Sequence, residues 1–184
     1  MAFSLDNFKR RTKRKIREGS IIWSDFDCVN VYARGKNLHI QNGIVSGELQ
    51  SCRFQEARSG LRIDNVSTKF NIREGYVNIM DIHIKDKYTD LHLPYFRMIY
   101  DGAAAFKDYI GKVRMSALLK DSEIDTRTLD YFADISGAAG IKLRLNGEFD
   151  GTVKDFKLNN IKIDTPEGKF SAIVNGRVSG LPAI

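Results

Sequence analysis

The sequence predicts a mainly β protein: an antiparallel meander curled into a groove, an open barrel or a sandwich, with two short helices. Three observations predict it. Apolar and polar residues alternate with a period of two along most of the 184 residues, helix-breaking falls to 15 glycines rather than the three prolines, and turn-forming pairs separate the alternating runs. The stretch from Gly140 to Leu181 is the clearest case. Ile141, Leu143, Leu145 and Phe149 share one parity while Lys142, Arg144, Asn146, Glu148 and Asp150 take the other, as a strand with one greasy and one wet face requires. Phe156 and Leu158, Ile161 and Ile163, then Phe170, Ala172, Val174 and Val178 continue the pattern, with Asp150-Gly151, Asn159-Asn160 and Pro166-Glu167-Gly168 read as turns.

Taken in order, residues 1–19 read as a basic leader or linker, with only Leu5, Phe8 and Ile16 as an apolar stripe. Residues 20–184 read as one β-rich section of a larger repetitive protein. Strand signals start at Ile21 to Phe26 and continue at Val29 to Ala33. Asn37 to Asn42 and Ile44 to Phe54 form a hairpin closed at Asn42-Gly43, a pair that suits the left-handed turn of a two-residue hairpin loop. Leu61 to Ile72, Tyr76 to Ile84 and Leu91 to Tyr100 follow as strands, the middle one with Tyr76, Asn78, Met80, Ile82 and Ile84 on one parity. A first helix is expected over Ala103 to Ile110, capped by Asp101 and ended by Gly111, with Phe106, Tyr109 and Ile110 on one face. Strand returns over Lys112 to Ile124, with Val113, Met115, Ala117 and Leu119 in phase. A second helix is expected over Thr126 to Asp134, with Asp125 as N-cap and Leu129, Phe132 and Ala133 on one face.

A weak internal repeat runs through the strands. Asn37-Leu38-His39-Ile40-Gln41, Asp81-Ile82-His83-Ile84-Lys85 and Asn160-Ile161-Lys162-Ile163-Asp164 share a polar-apolar-polar-apolar-polar core at irregular spacing. A ladder of hairpins gives such a pattern, each strand pairing with the last.

The net charge of +6 is local. Lys9, Arg10, Arg11, Lys13, Arg14, Lys15 and Arg17 lie together with no acidic residue among them, and subtracting those seven from 29 leaves 22 basic against 23 acidic residues. The body is therefore close to neutral, and the segment is the candidate for docking to a partner or to an anionic membrane surface. It lacks the aromatic stacking residues and motifs of nucleic-acid binders, so no nucleic-acid partner is expected. Cys28 and Cys52 either pair, which needs an oxidising compartment, or sit as small buried hydrophobes. No apolar run reaches the roughly 18 residues of a membrane-spanning helix.

Residue chemistry announces no enzyme. His39, His83 and His92 occupy polar slots of alternating strands, with no cysteine or acidic partner at metal-ligand spacing, and read as exposed strand residues. Asp25 and Asp27 share a strand face and read as solvated, since acid/base work needs a pocket as well, and the glycines near Gly147 and Gly151 have acidic neighbours, the wrong setting for phosphate. No catalytic residue, metal or cofactor is expected. What remains is the apolar face, which two short helices are too small to cover. Its candidate groove residues are Leu143, Leu145, Phe149, Ile161, Ile163 and Val174.

Several ordered motifs resemble a known family. Ile44-Val45-Ser46-Gly47-Glu48-Leu49, Ser59-Gly60-Leu61-Arg62-Ile63-Asp64-Asn65-Val66-Ser67, Leu91-His92-Leu93-Pro94-Tyr95, Leu129-Asp130-Tyr131-Phe132-Ala133, Leu145-Asn146-Gly147-Glu148-Phe149-Asp150-Gly151-Thr152-Val153 and Val178-Ser179-Gly180-Leu181-Pro182 are similar to the TamB-like members of the AsmA superfamily, particularly those of Bacteroidetes. The likeness runs in order from about Ser20 to the end. It departs at Asp134, where a proline is expected, and at Ala183, where an acidic residue is common. The resemblance implies an interior section of a periplasmic protein anchored in the inner membrane by a segment absent from this chain, its curled sheet (a β-taco) serving phospholipid transport between the two membranes, outer-membrane protein assembly, or both. It implies phospholipid acyl chains as ligands and an Omp85-type outer-membrane protein as a partner met by other parts of the parent protein. The alternative expectation, from a different class, is a structural or interaction β-module of adhesin or scaffold type that docks through the basic segment.

Overall fold

The computed structural model describes residues 21, 26–131 and 140–179. Nine strands follow one another: β1 (Cys28–Gln41), β2 (Ile44–Glu56), β3 (Arg62–Arg73), β4 (Tyr76–Asp86), β5 (Asp90–Ile99), β6 (Arg114–Asp125), β7 (Lys142–Thr152), β8 (Asp155–Asp164) and β9 (Ser171–Ser179). Each pairs antiparallel with the next, so the spatial order is the chain order and the sheet is a single meander. β1 and β9 each have one neighbour, which leaves the sheet open rather than closed as a barrel. Among the described residues no second sheet forms a sandwich.

The expected mainly β class is what the chain forms, and several element boundaries move. Asn42 and Gly43, at φ 49° and 73°, make the predicted hairpin turn between β1 and β2. Val29 to Ala33 and Asn37 to Gln41 lie on one continuous β1 rather than two strands, with Asn42 in the turn. Asp150-Gly151 and Asn159-Asn160 are not turns: the first pair lies inside β7, the second inside β8, and the hairpin turns instead at Val153 and Lys154. The turn at Pro166 to Gly168 stands as read. Ile21 and Phe26 lie outside any strand, and residues 22–25 between them lie outside the described set.

The first helix starts at Ala103 as read but is a 3-10 segment, Ala103–Asp108, that runs into a single α-turn, α1 (Tyr109–Lys112). Asp101 does not cap it. Gly102 is the N-cap, and Asp108 accepts from the Gly111 backbone nitrogen within the turn. The second helix is one turn, α2 (Thr126–Leu129), with Asp125 at the N-cap as the sequence predicts, its carboxylate accepting from the Arg127 backbone nitrogen at 2.9 Å. Phe132 and Ala133 lie outside the described residues, as does the basic segment Lys9, Arg10, Arg11, Lys13, Arg14, Lys15 and Arg17.

One backbone device recurs. Asn37, Asp81, Asp121 and Asn160 all sit at positive φ, between 47° and 54°, in the middle of β1, β4, β6 and β8. At each of them two residues oppose one on a neighbouring strand, the definition of a β-bulge. Asparagine and aspartate tolerate this left-handed conformation better than other residues with a Cβ. The bulge amides are satisfied locally: Asp121 N donates to Asn146 Oδ1 at 2.8 Å and Asn160 N to Asn175 Oδ1 at 2.7 Å.

The bulges explain the repeat. Three of the four residues open the three repeat units found in the sequence, and Asp121 opens a fourth, Asp121-Ser122-Glu123-Ile124-Asp125, in which a serine fills the first apolar slot. These four positions are 44, 40 and 39 residues apart. The bulge also switches the parity of the buried face. On β4 the in-facing set is Val77 and Ile79 before Asp81, then Ile82 and Ile84 after it, which corrects the single parity expected from Tyr76 to Ile84.

Candidate functional site: an apolar lane across nine strands

Directly opposed residues on neighbouring strands share a face of the sheet. Followed from strand to strand, one such row is Ile40, Val45, Ile72, Val77, Met98, Met115, Gly151, Phe156 and Val178. All nine strands contribute to it, and no member is polar. Two residues along each strand a second row runs beside it: Gly47, Phe70, Ile79, Phe96, Ala117, Phe149, Leu158 and Gly176. At about 4.8 Å per strand the lane is about 38 Å long.

The described residues cover this lane only in part. A small core at one rim consists of Ala105, Val113 and Met115, against which Phe96, Met98, Tyr100, Phe149 and Val153 pack. The 3-10 segment and α1 supply that cover, with the Tyr100 and Phe106 rings 4.6 Å apart and Tyr109 Oη 3.0 Å from Met115 Sδ. Away from it Val77 is buried, most other row members are half-buried, and Ile72, Gly176 and Ile40 are exposed, Ile40 at 72%.

The opposite rim is polar and tightly made. Asp86 is buried and accepts from the Tyr88 and Thr89 backbone nitrogens at 2.6 and 2.7 Å and from Thr128 Oγ1 at 2.8 Å. The Arg127 side chain holds the Asp125 carboxyl below the usual carboxylate range despite its burial, and its guanidinium lies 3.9 Å from the Tyr88 ring centre. Glu56 is buried and accepts from both the hydroxyl and the backbone nitrogen of Ser59 at 2.6 Å. The hydroxyl bond first, then that backbone bond, bring its carboxyl down to about 2. Among the described residues no buried side-chain polar atom lacks a partner.

Compared with models of protein families, with curated proteins and with solved structures, the chain matches none.

The six groove residues named from the sequence all fall on β7, β8 and β9. Leu145 opposes Ile163, which opposes Ala172; Ile161 opposes Val174; Leu143 opposes Ile124; and Phe149 joins Ala117 to Leu158 in the second row. Ile161 is buried, Val174 is 37% exposed and the other four are half-buried. They make up one third of a longer face. The upstream members on β2 to β6 went unnamed because the parity switch at each bulge hides their continuity in a one-dimensional pattern.

The other face is solvated. Cross-strand ion pairs, including Lys36 with Glu48 at 3.2 Å, Arg114 with Asp150 at 2.6 Å and Arg144 with Glu123 at 3.1 Å, decorate it at well-exposed positions where each contributes little to stability. Cys28 and Cys52 are free. The histidines divide. His39 is exposed on β1, whereas His83 and His92 meet across β4 and β5 and both contact Asp90. The absence of an acidic partner read from sequence spacing is corrected here, since that partner arrives through strand pairing. No helix among the described residues is long and apolar enough to cross a membrane.

Proposed function

We propose that this chain is a non-enzymatic section of a periplasmic TamB-like envelope protein, and that its apolar lane carries phospholipid acyl chains between the inner and outer membranes. The observation that supports this reading is the continuity of the lane: nine strands in series each contribute an apolar residue to one row, and the described residues cover that row only at one rim. Burial of apolar surface drives association at about 0.8 kcal/mol per CH2 group, so a half-covered lane favours an apolar occupant. Its length fits transit rather than storage. An acyl chain spans half of a hydrocarbon layer about 30 Å thick, roughly 15 Å, and the lane of about 38 Å exceeds two such chains placed end to end. The polar rim of Asp86, Asp125 and Thr128 stays hydrogen-bonded to its own turns and takes no part in holding the lipid. An Omp85-type partner and the inner-membrane anchor belong to the same reading and engage other parts of the parent protein.

The test is uptake of a fluorescent phospholipid by the purified chain, together with native mass spectrometry of lipid carried through purification. Ala117→Arg places a charge in the second row between Phe96 and Phe149. It lowers uptake at least tenfold while far-UV circular dichroism shows the sheet retained. Ser116→Arg, one residue along on the solvated face beside Arg97 and Asp150, leaves uptake unchanged. A wild-type chain that neither takes up nor carries lipid removes the proposal.

A further inference from the structure

We infer that His83, His92 and Asp90 form a binding site for a late first-row divalent cation, Zn2+ first among them, on the solvated face of the sheet. The β4–β5 register builds it. His83 stands directly opposite His92, and Lys85 directly opposite Asp90, which lies two residues before His92 and therefore on the same face. His83 Nε2 is 2.6 Å and His92 Nε2 2.9 Å from the same oxygen, Asp90 Oδ1. The two imidazoles stack at 4.1 Å between centres and 17° between planes, with both Nε2 atoms against the same carboxylate oxygen.

All three ligand atoms lie within 4.8 Å of one another. Tetrahedral Zn2+ with bonds of about 2.0 to 2.1 Å sets its ligand atoms about 3.3 Å apart, so the two nitrogen–oxygen separations must open by about 0.7 and 0.4 Å to admit the ion. In the bound state each neutral imidazole carries its proton on Nδ1 and offers the Nε2 lone pair. Two imidazoles and one carboxylate with open positions suit Zn2+ and its neighbours rather than Ca2+ or Mg2+, which select all-oxygen shells.

The supporting residues fix this geometry. Asp86 ties down the β4–β5 turn through Tyr88 N and Thr89 N, while Ser122 Oγ accepts from His92 N and donates to His92 O, both at 2.9 Å. Lys85 Nζ, 3.4 Å from Asp90 Oδ2, occupies the second carboxylate oxygen and leaves Oδ1 for the ion. A shallow cavity of about 620 Å3 opens beside the imidazoles, with Asp81, Asp121 and Lys120 on its wall and Asp81 paired to Lys69 at 2.8 Å. The site lies on the face away from the apolar lane and does not depend on the lipid reading.

The experiment is calorimetric titration of the full chain with Zn2+, paired with Co2+ absorption and Co2+-induced broadening of histidine ring resonances. One equivalent binds, and the His83 and His92 resonances broaden while that of His39 does not. Loss of a partner that merely orients a ligand costs 10- to 100-fold in metal affinity, so His83→Ala, His92→Ala and Asp90→Asn each weaken binding by about tenfold or more. His39→Ala, Cys28→Ser and Cys52→Ser leave it unchanged. Melting curves in chelator identify any variant that has lost its fold, and the ring broadening in the wild-type chain needs no variant. Absence of binding by the wild-type chain overturns the inference, as does binding that survives His83→Ala or broadens His39 equally.

Discussion

Gly147 lies on β7 opposite the bulge at Asn160, and its replacement by alanine separates two costs that are usually mixed. Its φ of +134° belongs to a region that residues with a Cβ rarely enter. An added Cβ would stand 2.7 Å from Asn160 O and from Ile161 Cα, and 2.8 Å from Ile161 Cδ1. Ordinary carbon contacts lie near 3.5 to 4.0 Å, so β8 must retreat by about 0.8 Å, and the atoms in the way are backbone. Forced backbone shifts cost about 1 to 3 kcal/mol and the dihedral another 1 to 2 kcal/mol, which places Gly147→Ala near 3 kcal/mol. Two other glycines isolate the parts. Gly168, at φ +69° with nothing within 4 Å, carries only the dihedral, and Gly168→Ala costs about 1 kcal/mol. Gly47 carries no positive φ, and its nearest obstacle is the Phe70 ring tip at 2.8 Å, which swings aside, so Gly47→Ala costs under about 1 kcal/mol. Urea unfolding followed by far-UV circular dichroism, with a common slope, ranks the three. A Gly147→Ala loss no larger than that of Gly168→Ala refutes the close approach of β7 and β8.

Two further outcomes follow from the same coordinates. Asp121 holds a left-handed bulge at φ 47°, so Asp121→Gly stays within about 0.5 kcal/mol of the wild type while Asp121→Val loses about 1 to 2 kcal/mol in urea unfolding. Glu56 has its carboxyl lowered from 4.5 to about 2, so its stabilisation is complete above pH 4.5 and disappears as the pH falls through 2. The urea midpoint of the wild type therefore leads that of Glu56→Gln by a constant margin from pH 7 to 5, and the margin closes between pH 4.5 and 2; a margin independent of pH contradicts the Ser59 hydrogen bonds as its source.

The class of fold was legible because alternation survives in one dimension. Strands β7 to β9 gave up their greasy face from sequence, since β7 and β9 keep one parity throughout and Asn159-Asn160 was already marked as a break. Where an even-numbered strand bulges without a turn-like pair, as at Asp81, the alternation reads as one parity and the face is lost. The repeat units were visible at Asn37, Asp81 and Asn160. The fourth was masked because Ser122, buried against the His92 backbone, replaces the apolar residue expected after Asp121. The second helix was overestimated, since it stops at Leu129, whereas the first fills its expected span as a 3-10 segment and one α-turn and runs on to Lys112. The cluster at Asp90 was invisible for a different reason. His83 and His92 are nine residues apart, and only an antiparallel register with its turn at residues 87–89 makes them neighbours.

The bulges bind these features together. Without an extra residue on β4, β6 and β8, the parity of the sequence would put Ile82 and Ile84, Ile124, and Ile161 and Ile163 on the wet face beyond the midpoint of each strand. The inserted left-handed residue returns them to the lane side, so one face stays apolar across strands whose sequence changes phase. The same insertion turns its own side chain away from the ladder, and for Asp81 and Asp121 that means onto the wall of the cavity beside His83 and His92. Lane and cation site thus share a cause on opposite faces. Removing the bulge residue at Asp81 shifts Ile82 and His83 together by one step of the pleat, exchanging their faces, so a single deletion must weaken lipid uptake and Co2+ binding at once, whereas Asp81→Gly, which keeps the bulge, must spare both.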